Sequence, residues 1–112
     1  MTQLVTDNPQ LAANDLVTAK QTAELLHKHY PGHAWAVSCE EGVVEVRNLA
    51  LSGEWGFRLF RDQAFSGSEY DKKVMRAGGE ILERYKLHPG MVNQDHLQEL
   101  QTDFSGRTLF AQ

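Results

Sequence analysis

One cysteine is too few for an internal disulfide, so Cys39 leaves the chain without covalent staples, and a reducing compartment is the simplest setting for it. Positive charge is also short: 11 Lys and Arg stand against 15 Asp and Glu, giving a net charge of −4 and a pI near 5.7. That balance argues against a generic binder of nucleic acid or of anionic membranes, although it leaves room for a local basic patch. No apolar run approaches the roughly 20 residues that cross a bilayer. The start, Met1-Thr2-Gln3-Leu4-Val5-Thr6-Asp7, has neither a basic region nor an apolar run and does not read as a signal peptide. Cys-x-x-Cys, His-Glu-x-x-His and a glycine loop followed by Lys-Ser/Thr are all missing, as are internal repeats. The expectations are no cofactor, no metal, no membrane partner, no catalysis and a cytoplasmic location.

What is present suffices for one domain with a real core: 112 residues, 41% of them hydrophobic. The best-marked stretch runs from Phe65 to Pro89. Ser66 and Glu69 have the spacing of a capping box, and Phe65 and Tyr70 that of a hydrophobic staple. Tyr70, Val74, Ala77, Ile81 and Tyr85 recur at steps of three or four, widened by Met75 and Leu82, which is the stripe of an amphipathic helix. Glu69–Lys73 and Glu80–Arg84 add pairs with the acid leading. His88-Pro89-Gly90 marks the stop. Gly78-Gly79 interrupts the stripe at a cost of about 0.5–1 kcal/mol per glycine. Close packing on a sheet or on another helix, approach of a symmetry mate, or a kink or ligand contact would each account for it.

Residues 1–10 read as an arm, 11–90 as a single domain and 91–112 as a C-terminal extension. A first helix begins at Leu11 or Asp15, with Asn14 as a plausible cap, and ends at His29 before Pro31-Gly32. Its apolar face is Leu16, Ala19, Ala23, Leu26 and Tyr30, widened by Val17 and Leu25. His33–Cys39, Val43–Leu49 and Glu54–Arg61 then alternate with period two, and Glu40-Glu41-Gly42 makes a tight turn between the first two. Trp35, Val37, Val44, Val46, Trp55, Phe57 and Leu59 fall on one face. The predicted fold is α+β, a two-layer sandwich of helix, three-stranded antiparallel meander and helix. After Gly90 a short helix over Asn93–Thr102 carries Leu97 and Leu100, followed by Phe104, Leu109 and Phe110. This extension cannot make its own core, so its apolar residues dock on the domain, dock on a partner or stay exposed.

The chemistry-bearing residues read mostly as structure. His27 and His29 are two apart on a helix and point in different directions, so with His33 they complement a helix C-terminus more simply than they ligate a metal. His88 and His96 have no partner spacing. Cys39 falls on core-facing parity beside Glu40 and Glu41, acids that disfavour a thiolate. The carboxylates spread over helix pairs and solvated faces. The other sheet face is more suggestive. Ala34 and Ala36 are small, with Arg47, Arg58 and Phe60 beside them, and arginine with an aromatic is typical of protein interfaces. Together with Leu97, Leu100, Phe104, Leu109 and Phe110 these residues form the candidate contact surface, and the expected partner is a second copy or another protein.

Two resemblances bear on function. The order helix–three strands–helix is similar to that of the double-stranded-RNA-binding domain, and Lys72, Lys73 and Arg76, with Arg58 and Arg61 nearby, occupy the region of its basic helix start. The acids Glu69, Asp71 and Glu80 interleave with them, and the family's Lys-Lys-x-Ala-Lys-like start and Gly-Pro-His-like loop are absent. Nucleic-acid binding through Lys72, Lys73, Arg76 and Arg58 is the alternative function. Arg76-Ala77-Gly78-Gly79-Glu80-Ile81-Leu82-Glu83-Arg84-Tyr85, with the strand–loop–strand before it, resembles small accessory proteins of tailed bacteriophages over residues 33–88. That resemblance implies a viral protein in a bacterial cytoplasm or virion that contacts other proteins, as an assembly component or an inhibitor of a host system. It carries no functional residue across.

Overall fold

A computed structural model describes residues 9–52, 56–61, 67–96, 98 and 108–111, with the side chains of 9–13 and 108–111 left aside. Helix α1 spans Pro9–His29, strands β1, β2 and β3 span Trp35–Glu40, Val43–Asn48 and Gly56–Phe60, helix α2 spans Gly67–Arg84, and a fourth strand, β4, spans Thr108–Ala111. All neighbouring strands are antiparallel, in the order β3-β2-β1-β4. The predicted α+β architecture is therefore present, with one strand added. Pro9 and Gln10 belong to α1 rather than to an arm. Proline suits a first helical turn, where its missing N–H would have no partner. Asn14 consequently lies inside the helix instead of capping it.

The core forms where the alternation said it would. Trp35, Val37, Cys39, Val44 and Val46 are buried on one sheet face with Ala19, Ala23 and Leu26 of α1 and Tyr70 and Val74 of α2. Phe57 and Leu59, on the outer strand β3, are half-buried against this cluster. Trp55, Phe65 and Ser66 lie outside the described residues. Thr22 is buried between the helices and loses no hydrogen bond: its hydroxyl donates to the Thr18 carbonyl at 2.8 Å. That proton being committed, the Tyr70 hydroxyl is the donor in the 2.8 Å bond to Thr22 Oγ1.

Gly78 and Gly79 are where α1 meets α2. A Cβ at Gly78 would stand 2.9 Å from Leu26 Cδ2 and 3.2 Å from the Tyr30 ring, and one at Gly79 would stand 2.8 Å from the Tyr30 hydroxyl oxygen. The gap admits the Tyr30 ring, whose hydroxyl donates to the Met75 carbonyl of α2 at 2.6 Å. Of the readings open from sequence, close packing on the first helix is the one the fold adopts.

Helix α2 ends at Arg84, short of the expected stop at Pro89. The cause is a Schellman cap: Leu87 N donates to Leu82 O at 2.9 Å, Lys86 N donates to Glu83 O at 3.3 Å, and Lys86 takes the left-handed conformation at φ 51°. The chain then runs along its own domain. Gly90 N donates to Gly32 O and Asn93 N to Leu49 O, each at 2.7 Å. Asn93 Oδ1 accepts from Asp95 N and His96 N and so starts the short turn at residues 94–96.

Candidate interaction surface

The sheet has one face under the helices and one facing away from them. Parity puts Ala36, Ser38 and Glu40 of β1, Val43, Glu45 and Arg47 of β2, and Gly56, Arg58 and Phe60 of β3 on the open face, paired in register as Ala36↔Arg47, Arg47↔Gly56, Glu45↔Arg58 and Val43↔Phe60. The two ends of this face differ. At one end Ala36 is fully buried and Arg47 is only 7% exposed. Ala36 lies on an inner strand between β2 and β4, and Arg47 folds back so that its Nε and Nη2 donate to Glu45 Oε1 at 3.2 and 2.9 Å. Glycine is required opposite it: a Cβ at Gly56 would collide with the Val46 carbonyl and stand 3.0 Å from Arg47 Cγ. The expectation that Ala36 and Arg47 are exposed contact residues is thus corrected. Ala34 is half-buried, its carbonyl accepting from Leu49 N.

The other end is open. Val43 is 44% exposed and Phe60 59% exposed, side by side across the β2–β3 ladder. Arg58 follows on β3 with its side chain 70% exposed and a loose 3.6 Å contact to Glu45 Oε2. A shallow groove of about 330 Å³ runs between Glu45, Arg47, Gly56 and Arg58. Of the sequence-predicted surface, the structure therefore brings together Arg58 and Phe60 and adds Val43, whose place at the strand start gave no signal beyond its parity.

The extension is tied to its own chain where it is described. Leu109 and Phe110 lie in β4, opposite Val37 and Ala36 of β1, so of the placements left open for the extension this stretch docks on its own domain. A strand is what these residues make because the edge of β1 would otherwise leave its N–H and C=O groups unpaired. Leu97, Leu100 and Phe104 lie outside the described residues.

The basic set does not converge. Lys72, Lys73 and Arg76 are exposed on α2, whose Tyr70, Val74 and Ile81 face the core, whereas Arg58 is on the sheet face turned away from both helices. A second groove, about 360 Å³, opens between α1 and the start of α2 beside Arg61, whose guanidinium lies 4.8 Å over the Tyr70 ring. Its lining mixes Lys28 and Arg61 with Glu24 and Asp71 and so favours neither sign of ligand.

Cys39 is a structural thiol. It is 2% exposed and donates to Asp15 Oδ1 at 3.4 Å, and burial together with the Asp15 carboxylate pushes its pKa up to about 12. His33 is buried as well, and burial, with His88 nearby, lowers its pKa. His27, His29 and His88 are exposed, and among the described residues no group of three His, Cys, Asp or Glu is placed to hold a metal. Nor, among the described residues, is any helix long and apolar enough to cross a membrane. Comparison with protein-family models, with curated proteins and with solved structures finds no match.

Proposed function

We propose that this chain is a non-enzymatic protein–protein interaction protein that self-associates through the open sheet face. The observation that carries the reading is the exposed Val43–Phe60 pair, set next to Arg58 on the face the helices leave bare. An aromatic and an aliphatic side chain paired in register and each about half exposed gain by burial against a partner, at about 25 cal/mol per Å² of apolar area, and a neighbouring arginine on an aromatic patch is the composition of an interface centre. A self-associating domain suits the assembly role implied by the resemblance to phage accessory proteins.

The test is sedimentation of the wild type beside Phe60→Glu, with Lys73→Glu on the helix layer as control. Dissociation of the Phe60 variant alone, with an unchanged melting temperature, is the expected result. Equal masses for all three proteins would remove the open face from the interface.

A further inference from the structure

The ladder specifies how two copies would meet. Arg61 N donates to Gly42 O at 2.8 Å, which makes Arg61 a hydrogen-bonded partner of β2. In an antiparallel strand the N–H and C=O of one residue point the same way, and successive residues alternate. Leu59 and Phe57 therefore also turn their backbone groups toward β2. Phe60, Arg58 and Gly56 turn theirs outward, to the edge where no described residue pairs with β3. The opposite edge of the sheet is β4, whose four residues lie along β1. Natural edges are guarded by proline, lysine, bulges or charges pointing into the core. Gly56–Phe60 has no proline or lysine, its register with β2 is unbroken, and its one charge, Arg58, points to the open face.

We infer that β3 pairs antiparallel with β3 of a second copy about a twofold axis at Leu59, joining the two sheets into one. The inference rests on the self-association proposed above and names the surface that performs it. Besides a register centred on Phe57, which sets each Arg58 opposite the other copy's Gly56 and so gives it no side chain to pair with, two symmetric registers within Gly56–Phe60 match outward groups to outward groups at two or more pairs of residues. One, centred on Arg58, sets the two Arg58 side chains directly opposite each other, a like-charge pair that destabilises a ladder. The other, centred on Leu59, sets each Arg58 opposite the other copy's Phe60, a cation–π pairing on the open face. It also places Leu59 against Leu59 on the helix side, where each is half-exposed in the single chain. Charge and aromatic complementarity thus select a second copy as the occupant and the Leu59 register as its mode.

Arg58→Pro and a pair of single cysteine variants test this. The Arg58 N–H faces outward, so proline there removes an inter-copy donor and leaves the β2 ladder whole. The expected result is a mass that falls from twice 12.6 kDa to 12.6 kDa with the melting transition retained. In the Leu59 register the two Leu59 residues form a non-hydrogen-bonded pair with Cα atoms about 4.5 Å apart, within disulfide reach. Leu59→Cys should therefore cross-link under mild oxidation and Arg58→Cys should not, while buried Cys39 stays silent in the wild type. Cross-linking of Arg58→Cys in preference to Leu59→Cys would overturn the register. A stable oligomer that neither cross-links nor responds to Arg58→Pro would overturn the edge pairing and leave the sheet-face reading standing. A wild type that stays monomeric would sink both.

Discussion

Asp15 shows how much one side chain does here. From α1 it accepts the Glu41 N–H at 3.0 Å, the Gly42 N–H at 3.4 Å and the Cys39 thiol, and so fixes the hairpin between β1 and β2. Glu41 and Gly42 are both at positive φ, 52° and 81°, the two left-handed positions of a type I′ turn. Glycine accepts this freely and glutamate does not, and the carboxylate offsets the difference. Asp15→Ala is expected to cost about 1–2 kcal/mol, read as a lower denaturation midpoint at unchanged m-value. Sequence reasoning put Asp15 in a helix's first turn. Its real partners lie about 25 residues downstream, and nothing local announces them. The titrating groups give a pH profile. His33 is lowered by burial, so the unfolded chain binds its proton more tightly and stability falls as pH drops through the ordinary value of 6.5. Cys39 and Tyr70 are raised by burial, so their contribution is full below their ordinary values of 9.0 and 10.0 and is lost as pH rises above them. Thermal melts should peak between these limits, and His33→Gln should flatten the acid side.

Among elements, α2 was the most legible and its ending the least. The stripe Tyr70, Val74 and Ile81 is buried as its spacing implied. The two glycines announced a close approach without saying to what, because Leu26 in α1 and Tyr30 just after its end lie some 50 residues earlier. Gly79→Ala should destabilise by about 1 kcal/mol, overpacking outweighing the helix-propensity gain. In a Tyr30→Phe background, where the hydroxyl it would strike is gone, the same change should turn neutral or favourable, a non-additivity that a double-mutant cycle measures directly. The helix stops at Arg84 because Lys86 enters the left-handed region, a conformation lysine disfavours by about 1–2 kcal/mol. Lys86→Gly should accordingly raise the melting temperature by a few degrees. Strands β1 to β3 followed from their alternation, whereas β4, at four residues with a weak pattern, did not stand out from the polar extension around it.

At the scale of the molecule, two helices cover one side of a four-stranded sheet and leave the other side uncovered by either helix. Parity in the sequence identified that open side and, among its exposed residues, Arg58 and Phe60. It could not show that Ala36 and Arg47 are covered, since that depends on β4 and on the fold-back of Arg47 onto Glu45. The central claim is that the exposed end of this face, together with the β3 edge beside it, holds copies of the chain together. Light scattering on the full chain across a concentration series tests it most directly. A mass that rises with concentration to a fixed multiple of 12.6 kDa is the predicted result. A mass of 12.6 kDa at every concentration would contradict it.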